Sequence, residues 1–457
     1  MTTTAAGPSR RLRTREAWHL GAVAVIWLTS LFVAGLWIAG GGIRDLFAMD
    51  ADTLTTLGRL TGLVAANLLL YQVLLMARIP LFERGFGRDG MTRLHRLVGF
   101  WSFWLMLVHI VLVAAGYSAA SGTNVLVETW DFIVNYPAML LATAGTVLLI
   151  LVVVTSIRRA RRRLRYESWH LLHLYAYLGV GLALPHELWT GADFLSSPVA
   201  TAYWWTLWAL AAASVIVFRV GLPAVQSLRH GLRVVAVDRD GDRGVAVRVA
   251  GRHGAPRARA GQFFIWRFLD GPGWTRGHPF SLAGAPGRDL VLSARFTGDG
   301  TGRLAALRPG TRVHIEGPYG TMTGDARTGT KLLMLGAGAG VAPLVALLEA
   351  EEFTPGAAVL VTREHTPADA MRAPQIAALV ARRGLRHAAL DGPRGRSWFP
   401  RTHDAWSGPG LISYLAPDVD EYDAYVCGPP PWMDAVTADL RAAGFPRTRI
   451  HTESFEV

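Results

Sequence analysis

The chain has 457 residues, enough for two or three domains, and 51% of them are hydrophobic, with the apolar mass concentrated in the first half. Its single cysteine, Cys427, excludes an internal disulfide and any cluster held by four cysteines of one chain. The net charge of +12 lies in arginines beside apolar spans, the pattern of membrane topology and not of a nucleic-acid surface, so a lipid bilayer is the expected partner and nucleic acid is not.

Six apolar stretches, roughly 18–39, 54–77, 94–116, 134–156, 167–189 and 201–221, are each long enough to cross a hydrocarbon core of about 30 Å. The first follows "SRRLRTR" but lacks a clear small-residue cleavage site, so it reads as a retained helix. Arg10, Arg11, Arg13 and Arg15, then Arg78, Arg84 and Arg88, then "RRARRRLR" occupy alternate connections. The opposite ones carry mainly Asp50, Asp52, Glu128, Asp131, Glu187 and Asp193. The basic side is expected to face the cytoplasm of a plasma (inner) membrane, with both termini inside.

Histidines are placed oddly in this half. His95 and His109 lie in the third span, and His170, His173 and His186 in the fifth. A single intramembrane histidine is as well read as a packing or proton-pathway residue. Two pairs are not. His95–His109 and His173–His186 are each separated by about 20 Å of helix, and the two spans run in the same direction. Each level therefore offers two imidazoles to one metal centre, as a haem with two axial histidines requires. Zinc wants more ligands and hard cations want oxygens. Periodicity does not secure His173. Thirteen residues miss the same helical face by about 140°, and the sixteen from His170 to His186 miss it by about 160°. Pro185, Gly179 and Gly181 offer places for the helix to bend or rewind. His170 is left as a propionate or interface partner. Arg59, Arg93 and Arg96 lie near span ends, where haem propionates find cations and where arginines also set topology.

After Leu222 the pattern changes to short alternating strands with Gly/Pro turns, as in "RVVAVDR" and "GQFFIWRF". A small antiparallel barrel is expected up to about residue 325. His278, Pro279, Phe280 and Ser281 set an aromatic and a hydroxyl on one of its strands, able to pack and hydrogen-bond a flavin. Gly300, Thr301 and Gly302 open a helix whose N-terminus suits a pyrophosphate. From Lys331 strands and helices alternate, which implies a parallel sheet covered by helices. "LLMLGAGAGVAPL" puts Gly336, Gly338 and Gly340 at a strand-to-helix turn. "AYVCGPPPWM" puts Cys427, Gly428 and Pro429 at another strand end. Arg363 ends the second strand, where an arginine accommodates a 2′-phosphate, with Arg396 as a second phosphate partner. Glu364 keeps NADH possible. The fold expected is thus a six-helix transmembrane bundle (1–222), an antiparallel β-barrel (223–325) and an α/β parallel-sheet domain (326–457).

Taken together, the histidine spacing, HPFS, GPYG, GAGAGVAP, CGPP and the terminal "HTESF" resemble the NADPH oxidase/ferric reductase transmembrane family over nearly the whole chain. The resemblance implies that His95, His109, His173 and His186 ligate two b-type haems. It implies FAD at His278, Phe280 and Ser281, and the NAD(P)H pyrophosphate at Gly336, Gly338 and Gly340. Cys427 and Gly428 would line the nicotinamide site, with Phe455 covering the flavin, although Glu456 and Val457 follow it here. Electrons would pass from cytoplasmic NADPH through FAD and both haems to an outer acceptor: dioxygen, a ferric chelate or an extracytoplasmic protein. The chain lacks an EF-hand motif, so calcium gating is not expected. Val113 stands a turn beyond His109, where some oxidases carry a further histidine, which weakens a dedicated superoxide-forming site. A transporter with a redox-sensing nucleotide domain would leave the paired histidines without a role.

Overall fold

A computed structural model describes the chain except residues 1–9, 49–51, 162–165, 272–273, 297–298, 396 and 455–457. It divides into two compact units, Leu12–Val220 and one containing Gly221–Val457.

The first unit is helical: α1 (Arg10–Ala39), α2 (Gly42–Phe47), α3 (Asp52–Met76), α4 (Pro80–Ser121), α5 (Val125–Asn135), α6 (Met139–Ser156), α7 (Arg158–Arg161), α8 (Tyr166–Trp189) and α9 (Pro198–Ser214). Gly87, at φ 64°, breaks α4 near its start. Among the described residues, five helical runs are long and apolar enough to span a bilayer: 20–39, 52–76, 90–121, 139–156 and 198–230. The chain is therefore a multi-pass membrane protein. The fifth expected span does form a helix, α8, but three histidines, Pro185 and Glu187 dilute its apolar run, and it is not among the five. The fourth span starts later than expected because Val125–Asn135 forms a helix of its own, capped by the Asn124 side chain.

Small residues let these helices approach closely. A Cβ on Gly145 of α6 would lie 2.6 Å from the Gly179 carbonyl of α8, and one on Gly58 of α3 would lie 2.7 Å from Val113 of α4. Buried Asn67 ties three helices together: it accepts from the Tyr203 hydroxyl at 2.5 Å and donates to Ser30 at 3.3 Å.

In the second unit α10 (Leu222–His230) leads into β1 (Arg233–Arg239), β2 (Gly244–Ala250), β3 (Phe263–Phe268), β4 (His278–Ser281), β5 (Asp289–Arg295), the short α11 (Asp299–Leu304) and β6 (Val313–Tyr319). These strands form two three-stranded antiparallel sheets, β1-β2-β5 and β4-β3-β6. Isolated bridges at Arg233–Arg312 and Leu282–Leu292 tie their edges. Alternating residues of both, among them Val247, Phe264, Trp266, Leu292 and Ile315, share one core.

The α/β part comprises β7 (Lys331–Ala337), α12 (Val341–Ala350), β8 (Ala358–Glu364), α13 (Ala373–Arg383), β9 (Arg386–Asp391), α14 (Gly408–Leu415), β10 (Tyr422–Gly428), α15 (Pro430–Ala442) and β11 (Ile450–Ser454). Its five-stranded parallel sheet has the order β11-β10-β7-β8-β9 and a hydrophobic cluster on each face. Strand order reverses between β7 and β10, so the ligand crevice of such a sheet lies at their carboxyl ends.

Candidate functional site

His95 and His109 project from α4, His173 and His186 from α8. The rings pair by level: His95 and His173 have centroids 6.0 Å apart, His109 and His186 6.4 Å apart. Two imidazoles holding one metal from opposite sides place their ring centres about 6 Å apart, given a metal–nitrogen bond of about 2.0–2.1 Å. His170 is half-buried with its ring 6.5 Å from Trp169, and His173 is the one that faces His95. Helix α8 runs unbroken through Pro185, so both pairs form without an interruption of the helix.

The hydrogen bonds fix which nitrogen is free. Nδ1 of His109 donates to the Gly58 carbonyl at 2.8 Å, and Nδ1 of His186 to that of Ala183 at 3.2 Å. Nδ1 of His173 lies 3.1 Å from the Ser156 hydroxyl, which itself donates to Val152 and accepts from Trp169 Nε1. At His173, His109 and His186 the unused nitrogen is therefore Nε2, the arrangement by which outer partners orient metal-ligating histidines. Nδ1 of His95 is buried without a hydrogen-bond partner. Gly62 leaves room for the His109 ring: a Cβ there would lie 2.5 Å from Nδ1. Among the described residues no group of three or more His, Cys, Asp or Glu side chains could hold a metal. Two ligands per level, in apolar surroundings, fit a haem, whose macrocycle supplies the remaining donors. Arg59 is engaged otherwise, in a two-pronged ion pair with Asp193 at 2.7 and 2.5 Å.

In the sheets of the second unit, β4 pairs with β3 so that Ser281 opposes Phe263 and His278 opposes Trp266. The His278 and Phe280 rings stack, 6.1 Å apart at 25°, with Pro279 between them in sequence and Ser281 buried. Trp266 Nε1 holds the Phe280 carbonyl at 3.0 Å. Gly300, Thr301 and Gly302 lie in α11, with open space where a Gly302 side chain would be.

At the sheet's reversal the glycines have distinct reasons. Gly338 has φ +55°, and a Cβ there would stand 3.1 Å from Arg295. Gly336 and Gly340 make close approaches, Gly336 to Val341 and Leu344, Gly340 to the backbone of Cys427 and Gly428. Cys427 is fully buried, and its Sγ donates to the Glu453 carbonyl at 3.4 Å. Burial first, and the Glu453 charge second, push its thiol pKa well up. Pro429 caps α15, and β10–β11 pairing sets Gly428 opposite Ser454. Phe455 and Arg396 lie outside the described residues.

Arg363 does not present its guanidinium to solvent. It is buried and donates to the carbonyls of Glu364, Leu390 (3.3 Å) and Gly392 (2.9 Å). That geometry removes the support it gave to NADPH over NADH. Two residues that no motif singled out, Arg295 and Asp369, also gather here with Glu364 and Glu453. Arg295 of β5 pairs with Glu364 at 2.6 Å and Asp369 at 3.4 Å. Glu453 reaches the Met322 amide at 3.4 Å. Only "HTESF" contained a hint of Glu453; Arg295 and Glu364 meet across about seventy residues of sequence, a contact no local pattern announces.

Comparison with known proteins agrees with this division. Residues 61–184 match the family described as "Ferric reductase like transmembrane component". The chain is 32% identical over 205 residues to the ferredoxin–NAD(+) reductase component of an alkene monooxygenase system from Xanthobacter autotrophicus, covering 43% of this chain and 61% of that one. It is 27% identical over 203 residues to the ferredoxin reductase component of 3-ketosteroid-9-alpha-monooxygenase from Rhodococcus rhodochrous, covering 43% and 56%. The chain thus spans less than two thirds of either relative. A third relative is the heme-binding subunit of protein-methionine-sulfoxide reductase from Klebsiella pneumoniae, 27% identical over 201 residues, 43% of this chain and 91% of that one. The chain thus combines a stretch similar to a ferric reductase-like transmembrane component with a ferredoxin-reductase-like module, an arrangement consistent with the fused ferric reductase-like family.

Proposed function

We propose that the chain is a membrane oxidoreductase that carries electrons from cytoplasmic NAD(P)H through FAD and two b-type haems to an acceptor on the outer side of the plasma membrane, dioxygen or ferric iron. The observation that carries it is the pairing of four histidines at two levels of α4 and α8, with Nε2 free at three of them. When bound, flavin and haems supply the redox chemistry, splitting a two-electron donor into single electrons.

The protein's work is to hold, orient and keep dry. His95 with His173, and His109 with His186, would hold iron, and the Nδ1 partners of His173, His109 and His186 fix the orientation of those three rings. Apolar helices exclude water from both levels. His278, Pro279, Phe280 and Ser281 form a flavin wall. Gly300, Thr301 and Gly302 admit its pyrophosphate, and Gly336, Gly338 and Gly340 that of the nicotinamide. Cys427 with Gly428 and Pro429 floors the nicotinamide site, and Phe455 covers the flavin. With Arg363 spent on carbonyls, NADH stands level with NADPH. No general acid or base is assigned. Domain limits of 1–222, 223–325 and 326–457, and both termini on the cytoplasmic side, belong to this reading.

A second reading, in which the chain is an electron-relay subunit for an extracytoplasmic protein, is favoured by its similarity to a heme-binding subunit. It predicts sluggish turnover with oxygen or ferric chelates alone. The test of the main reading is haem content per chain in the detergent-purified protein. His95→Ala and His109→Ala should each lose one of two haems, and unchanged content in both variants would remove the histidines from the account.

A further inference from the structure

The helix that leaves the membrane unit does not end where a span would. Residues 198–230 form one helical run of 33 residues, which at 1.5 Å per residue is about 50 Å against a hydrocarbon core of about 30 Å. Its last part, α10, is two-faced. Pro223, Gln226, Ser227 and His230 are buried or half-buried. Ser227 Oγ donates to the Ile315 carbonyl at 3.3 Å and accepts from the Ile315 amide at 3.2 Å. His230 Nδ1 donates to the Gly254 carbonyl at 3.0 Å. The face turned away from β6 carries Leu222, Val225 and Leu228, which are 40%, 60% and 80% exposed, with Arg229 beside them. At 100° per residue those three apolar positions fall within a stripe of about 120°, and Ser227 lies about 160° from Val225. Among the described residues of the second unit, nothing covers the stripe.

We propose that α10 is an interfacial helix: Leu222, Val225 and Leu228 dock on the cytoplasmic lipid surface, and Arg229 meets anionic headgroups. Three features favour lipid as the occupant. The stripe continues in sequence directly from a candidate span, so the chain delivers it to the membrane boundary. Apolar residues flanked by a cation match that boundary, where an amphipathic helix sinks its apolar face about 5–10 Å. The seven-residue π segment Val215–Gly221 and Pro223 are features at which helices bend, so α10 need not continue along the span's axis. Ser227 and His230 fasten the opposite face to β6 and to Gly254. The docking does not rest on the electron-transfer reading above.

The test is a bimane label on the full-length protein in phosphatidylcholine–phosphatidylglycerol nanodiscs, on Leu228→Cys and, as control, exposed Arg382→Cys of α13. Cys427 is buried and does not compete for the label. The Leu228 label should be quenched about threefold by doxyl lipids and shielded from iodide, the Arg382 label the reverse. Iodide reaching both labels equally would overturn the proposal. So would shielding of the Leu228 label from both quenchers, which would mean a protein partner on that face.

Discussion

Donation from Nδ1 of His109 to the Gly58 carbonyl leaves Nε2 facing away from α3, and Gly62 is the only side-chain size that clears the ring. Gly62→Val should therefore displace His109 and lower haem content by about one per chain while the inner pair persists. Unchanged content by pyridine haemochrome assay would mean the ring is free to move. Arg363 gives a second test at this scale. Its guanidinium serves three carbonyls, so Arg363→Ala should destabilise the α/β part by about 2–4 kcal/mol and weaken NADH and NADPH alike. A Michaelis constant raised for NADPH alone would restore the phosphate role that its place at a strand end suggested. Asp423 gives a third. It is buried and accepts from His451 at 2.8 Å, from the Thr328 amide at 2.8 Å and from the Gly329 amide. Burial alone would raise its pKa, but these donors outweigh it and hold the carboxyl below its usual range. A folded pKa below the unfolded value of about 3.9 stabilises the fold above that pH and is lost as pH falls through the folded value. Asp423→Asn should cost about 1.5–3 kcal/mol at pH 7, read from the denaturation midpoint, with the deficit shrinking below about pH 4. A deficit independent of pH would assign the effect to packing.

Among elements, α8 shows where sequence reading stops. Its length and apolar character were legible, as were its histidines, yet spacing could not choose between His170 and His173. Thirteen and sixteen residues both miss a common face on an ideal helix. The choice depends on where α4 and α8 pass each other, and that is set by long-range packing such as the Gly145–Gly179 approach. Gly179→Val should push α8 from α6 and deplete both haem levels. Gly181→Ala, where a Cβ meets nothing within 4 Å, should deplete neither. Equal effects of the two would show that helix propensity and not the close approach matters. The short α5 was missed for a related reason. Val125–Asn135 is too short to cross a bilayer and reads as a connection ahead of the fourth span, from which extended Tyr136, Pro137 and the αL residue Ala138 separate it.

For the whole molecule, the change of hydrophobic period after Leu222 and again after Lys331 made the order of parts readable: helices first, alternating strands next, strand–helix repeats last. The strand order was not readable. Parallel pairing of β7 with β10, ninety residues apart, is what brings the Gly336–Gly340 turn to Cys427 and Gly428. Likewise the two tied three-stranded sheets and the Arg295–Glu364 pair between β5 and β8 are products of tertiary packing. Motifs thus located the pieces of a site whose assembly depends on contacts invisible to any short window. The central claim is that those pieces pass electrons to haem iron inside the membrane unit. The measurement is a visible spectrum of the detergent-purified, FAD-loaded protein without oxygen, before and after addition of NADH or NADPH. The account predicts close to two low-spin b-type haems per chain, with bands that sharpen as the nicotinamide reduces them. A protein that binds no haem, or whose haem stays oxidised while the flavin bleaches, would contradict it.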